Sequence, residues 1–85
     1  MKPANGQYRL TSPGAPPQTF TVSGNNAVSV QNGAQWDTWT YDAVNDAFHA
    51  ANHTCSIRCT GGSTYMCYVG VEPGFSFIGT CERLS

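Results

Sequence analysis

Polar and apolar residues alternate along most of this chain. Gln7-Tyr8-Arg9-Leu10-Thr11 alternates strictly, the pattern of a strand with one buried face. Three prolines and a glycine between Ser12 and Pro17 break the pattern and mark a loop. Thr19–Val22 and Ala27–Gln31 alternate again around Gly24-Asn25-Asn26. A three-residue loop there pairs Val22 with Val28 and Phe20 with Val30, and sets all four on one face. Asn32-Gly33 is the strongest turn signal, because a type I′ turn needs positive φ at both of its central positions. That turn pairs Gln31 with Ala34 and Ser29 with Trp36. Trp39 and Tyr41 then share the face of Val28 and Val30, and Trp36 lies on the opposite face beside Thr38 and Thr40.

Residues 42–51 fit a short helix. Asp42 is a capping residue, and Val44, Ala47, Phe48 and Ala51 form one stripe at helical spacing. An irregular strand and loop is the alternative. Beyond it, Thr54–Cys59 and Thr64–Val71 flank Gly61-Gly62, and Pro73-Gly74 suits a type II turn into Phe75–Cys81. The expected fold is therefore mainly β: a small antiparallel sandwich or partly closed barrel of about six to eight strands, with one short helix at 42–51 and disulfide stabilisation.

Composition narrows the class. The chain has 85 residues, which reads as one small domain over 1–85. Such a chain buries only about 60–65% of its unfolded surface. Charged residues make up 11% and the net charge is -1, so no basic field exists for nucleic acid or an anionic membrane. No apolar run approaches the roughly 18 residues of a membrane span. Met1-Lys2-Pro3-Ala4 has no apolar segment behind it, so Met1 reads as an initiator on a mature chain.

Cys55, Cys59, Cys67 and Cys81 all fall in the last third. An even number of cysteines in so short a chain points to disulfides. A Thr60-Gly61-Gly62 loop would set Cys55 opposite Cys67 and leave Cys59 about 13 Å from Cys67. Bridged Cα atoms lie within about 7 Å, so Cys55–Cys67 and Cys59–Cys81 are favoured. If residue 55 lies on a helical turn instead, Cys55–Cys59 becomes reachable. His49, His53 and the cysteines are ligand types that zinc accepts, but the spacing contains no CxxC knuckle. No metal site and no cofactor is expected. Asn52-His53-Thr54 is a glycosylation sequon and, with the cysteines, argues for a secreted, extracellular protein.

The candidate contact residues are Trp36, Asp37, Arg58 and Tyr68. Rings beside carboxylates and amides suit a sugar, which stacks on an apolar face and donates hydroxyls to acceptors. Trp and Tyr also lead among interface hot spots. The expected function is recognition of an extracellular or host molecule, a protein or a glycan, in the manner of an effector, toxin or inhibitor and without catalysis. A glycan-binding module is the first alternative. A small ribonuclease-like hydrolase using His49, His53 and Arg58 is the second, and the only one that expects a nucleic-acid partner.

Overall fold

The computed structural model describes residues 2–11, 14, 16–61, 64–70 and 76–84, with backbone alone described for 60–61, 64–70 and 76–78. Among them are eight strands: β1 (Gly6–Thr11), β2 (Gln18–Ser23), β3 (Asn26–Gln31), β4 (Ala34–Asp42), β5 (Ala47–Ala50), β6 (Ser56–Gly61), β7 (Thr64–Gly70) and β8 (Ser76–Arg83). Each pairs antiparallel with the next. β1 also pairs with β8, Leu10 opposite Cys81, so the sheet closes into a barrel. The turn expected at Pro73-Gly74, the loop residues 62–63, and the Tyr68 side chain lie outside the described part.

Inward-facing residues fill the barrel. Tyr8, Leu10, Phe20, Val22, Ala27, Trp39, Phe48, Ile57, Cys59 and Cys81 form one buried cluster. Phe20 sits at its centre, edge-on to Trp39 at 5.8 Å and to Phe48 at 5.4 Å between centroids, an arrangement that aromatic quadrupoles favour. The Trp39 indole N–H donates to Ser29 Oγ at 2.9 Å, and that hydroxyl donates to the Asp37 carbonyl at 3.3 Å. A buried indole and a buried hydroxyl thereby satisfy each other. At one end the chain's first residues close over the barrel. Pro3 is buried, Tyr8 Oη donates to the Ala4 carbonyl, and Arg83 donates to Tyr8 Oη and to the Asn5 carbonyl.

Three expectations are corrected. First, the β2–β3 turn has two residues, because Ser23 pairs with Asn26. Gly24 has φ +62°, the positive φ that a type II′ turn needs at its first central position and that glycine adopts without a Cβ clash. Val22 therefore faces Ala27 and Phe20 faces Ser29. Ala27 and Ser29 point inward, whereas Val28 and Val30 are only partly buried.

Second, the Asn32-Gly33 turn forms with φ +53° and +78° and pairs Gln31 with Ala34 as expected. A β-bulge then intervenes. Ser29 pairs with Asp37 and Val30 with Gln35, which leaves Trp36 as the extra residue. The one-residue insertion turns Asp37 and Trp39 onto the face of Ala27 and Ser29.

Third, residues 42–51 contain no helix. Asp42 does accept the capping bonds, from Val44 N–H at 3.0 Å and Asn45 N–H at 3.4 Å. The turn ends at once, because Asp46 adopts φ +53° and Ala47 pairs with Asp42 in the β4–β5 ladder. Of the supposed stripe only Ala47 and Phe48 are buried, and Val44 is 93% exposed.

The register of β6 on β7 also differs from expectation. Cys67 is the partner of Cys59, not of Cys55. The turn is centred two residues later, which preserves facing but moves every pair along the ladder. Cys55, Cys59 and Cys81 each form no disulfide, so neither of the expected bridges, Cys55–Cys67 and Cys59–Cys81, is present.

The corrected β2–β3 register has a measurable consequence. Val22→Thr places a hydroxyl inside the barrel and is expected to lower stability by about 1–3 kcal/mol. Val28→Thr, on the outer face, is expected to change it by less than about 0.5 kcal/mol. Urea denaturation of the two variants measures both, and equal losses would restore the three-residue loop.

Candidate functional site

The bulge at Trp36 and the residues after β5 build one cluster. β5 ends at Ala50, and the chain then runs beside the first half of β4, with Ala51 N–H donating to the Thr38 carbonyl at 2.9 Å. Ala50 N–H donates to the Cys55 carbonyl at 3.1 Å, which closes residues 51–54 into a short excursion. Asp37 lies beneath it. Its side chain is 0% exposed, and a buried carboxylate has to be met by donors. Thr38 N–H donates to it at 2.7 Å, Asn52 N–H to both oxygens at 3.1 Å, the Asn52 amide at 3.2 Å and His53 Nδ1 at 2.6 Å.

His53 in turn stacks on Trp36, with ring centroids 3.8 Å apart and planes 5° from parallel. Trp36 stacks on buried Trp39 at 5.9 Å and 23°. The result is a column of rings rising from the core to a histidine side chain that is 43% exposed. The carboxylate only accepts hydrogen bonds, so Nδ1 carries a proton and Nε2 is the ring nitrogen left for other partners.

Burial acts to raise the Asp37 carboxylate. The hydrogen bonds from His53, Thr38 N–H and Asn52 N–H, with the attraction of His53, outweigh it and hold the group below its usual value. Burial and then the Asp37 charge push the Cys55 thiol up, away from the thiolate that a nucleophilic cysteine needs.

A second cluster lies on the outer face, where β4, β5 and β6 adjoin. His49 is the cross-strand partner of Ser56. Ser56 Oγ lies 2.6 Å from His49 Nδ1, and His49 Nε2 lies 3.1 Å from Asp42 Oδ2. With a neutral ring, Asp42 accepts from Nε2–H and Nδ1 accepts the Ser56 hydroxyl proton. The order Ser–His–carboxylate matches that of a hydrolase. Ser56 is only 6% exposed and sits within a strand, where a substrate carbonyl has little access. The hydrogen bond from Asn45 and then that with His49 hold Asp42 below its usual value.

The sequence-predicted residues therefore separate. Trp36 and Asp37 come together, Trp36 half-buried and Asp37 wholly buried. Arg58 is elsewhere: it donates to the Asn45 and Asp46 carbonyls and braces the β4–β5 turn. His49 and His53, paired in the nuclease expectation, engage different carboxylates. Among the described residues no three His, Cys, Asp or Glu side chains converge as a metal site, and no helix is long and apolar enough to cross a membrane. His53 and Asn52 were missing from the contact set. Part of the signal was present, since alternation that puts Trp39 and Tyr41 inside puts Asp37 inside with them.

The cluster predicts a particular acid response. The folded-state value of Asp37 lies below the unfolded one of about 3.9. Its stabilisation is therefore fully present above that pH and is lost as pH falls through the folded value. Asp37→Asn is expected to be less stable than the wild type near pH 6, with a flatter loss of urea midpoint below about pH 4. A variant curve parallel to that of the wild type across the whole acid range would contradict this assignment. No family model matches the chain, and no curated protein or solved structure matches it.

Proposed function

We propose that this chain is a secreted recognition module, effector-, toxin- or inhibitor-like, that binds an extracellular protein or glycan and does not catalyse a reaction. The observation that carries the reading is the Trp39–Trp36–His53 column anchored on buried Asp37. A contact group held by packing and by a buried hydrogen bond loses little freedom on binding. Trp36, half-buried on this base, is also of a residue type that dominates interface energetics. The low charge, the four cysteines and the Asn52 sequon support an extracellular setting.

A glycan is the second reading, and the stacking favours a particular version of it. Trp36 is flanked by Trp39 on the core side and His53 on the solvent side. The platform offered to a sugar is then the outer face of His53 with the edge of Trp36, and Nε2 is the acceptor for a hydroxyl. Asn52 is exposed while its amide nitrogen donates to Asp37, so a glycan attached there would rise beside the same ring.

Binding of wild type, His53→Ala and Trp36→Ala to a glycan array and to proteins from extracellular extracts tests the proposal. Saturable binding by the wild type is expected to weaken about tenfold or more in both variants, the effect of removing a hot-spot side chain. RNA cleavage by the wild type that is abolished in His49→Ala or His53→Ala would replace recognition with hydrolysis.

A further inference from the structure

Asn52, His53 and Thr54 form a glycosylation sequon, and the fold gives its asparagine an arrangement that spacing alone does not show. The sequon lies in the excursion between β5 and β6, where residues 51–54 are all exposed. Glycans sit on such surface segments. The Asn52 amide nitrogen also donates to Oδ1 of buried Asp37 at 3.2 Å. An attached sugar has to leave that bond in place, because a buried carboxylate that loses a donor is destabilising.

The amide has two hydrogens, and the geometry divides them. A carboxylate only accepts, so the amide nitrogen of Asn52 faces Asp37 and the carbonyl oxygen does not. The backbone N–H of Asn52 donates to the same Oδ1 at 3.1 Å. An acceptor shared with the residue's own N–H lies back toward the main chain, and only the amide hydrogen on the Cβ side points that way. The other hydrogen lies on the carbonyl side and points away along the Cβ–Cγ direction. A secondary amide is planar and places its substituent trans to the carbon across the C–N bond. Here that means trans to Cβ, in the position of the second hydrogen. The hydrogen bonded to Asp37 is thus the one that N-glycosylation keeps.

We infer that Asn52 is an N-glycan acceptor whose modified amide stays bonded to Asp37, so that one carboxylate holds the glycan through Oδ1 and the His53 contact ring through Oδ2. In the modification, Asn52 Nδ2 bonds to C1 of the first sugar and the C1–O bond to a lipid-linked diphosphate breaks. The displaced Nδ2 proton leaves with the diphosphate. The site rests on the secretory setting of the proposed function and not on what the His53 face binds.

The full chain is secreted from eukaryotic cells behind a cleavable leader, as wild type and as Thr54→Ala, which breaks the sequon and leaves Asn52 in place. Peptide mapping is expected to find sugar on Asn52 of the wild type alone. An endoglycosidase trims one portion of the wild type to the first sugar, and an amidase removes the whole glycan from another and leaves Asn52→Asp. The one-sugar protein is expected to match or exceed the Tm of Thr54→Ala. The amidase product is expected to melt about 10 °C or more lower at neutral pH, because a second carboxylate then faces Asp37. A wild type secreted without sugar, or a one-sugar form that melts below Thr54→Ala, overturns the inference. An amidase product as stable as Thr54→Ala overturns it as well. Recognition is measured on unglycosylated Thr54→Ala, so a failure to bind is distinct from a failure of the glycan site.

Discussion

A carboxylate sealed from water has to find donors, and the way Asp37 finds them organises one end of this barrel. Four of its five hydrogen bonds come from Asn52 and His53 in the excursion after β5, and the fifth comes from Thr38 N–H. The excursion at 51–54 is short and exposed, and besides Asp37 it is held by the Ala51 N–H bond to the Thr38 carbonyl and by the His53 stack on Trp36. Without Asp37 beneath it, most of its hydrogen bonds would be lost. Without the excursion, Asp37 would be a buried charge with too few partners, a state far costlier than the loss of one neutral hydrogen bond. Each half therefore requires the other, and the exposed imidazole takes its position from that mutual requirement.

The bulge is the second element of the same device. A regular β3–β4 hairpin would have left Trp36 in the row of Thr38 and Thr40, facing solvent. With one extra residue in β4, Asp37 and Trp39 share the inner face with Ser29, and Trp36 leans back onto Trp39. Bulges commonly re-aim side chains in this way beside binding surfaces. Here the re-aimed ring becomes the middle of a stack whose outer member is His53.

The two histidine–carboxylate pairs look alike in composition and differ in physical role. His53 stands on a buried acid and presents one nitrogen outward. His49 has both nitrogens engaged, by Asp42 and by Ser56, on the outer wall where β4, β5 and β6 adjoin. Its bonds tie the β4–β5 turn to β6, and Arg58 adds two further bonds from β6 to that turn. The second cluster thus fastens neighbouring strands to one another, and the first is the one with a group left to offer.

Much of the architecture is local and was legible from the residues. Alternation located the strands other than β5 near their observed places, and Asn32-Gly33 marked its turn, because period-two burial and positive φ are properties of a few consecutive residues. The mainly β, antiparallel class follows from many such strands joined by short turns, and the choice of a barrel over a sandwich came from the β1–β8 pairing. Facing and register needed the tertiary structure. A two-residue turn in place of three moved Val28 and Val30 off the core face, one bulge set Ser29 instead of Val28 opposite Asp37, and a turn centred two residues later gave Cys67 to Cys59. The capping bonds of Asp42 serve a helix or a turn equally well, and the pairing of Ala47 with β4 chose the turn. The candidate site rests on contacts between Asp37 and residues fifteen and sixteen positions away, which no local pattern encodes. The β4–β5 pairing and the return of residues 51–54 beside β4 bring them together, because there the carboxylate is cut off from water and requires those donors.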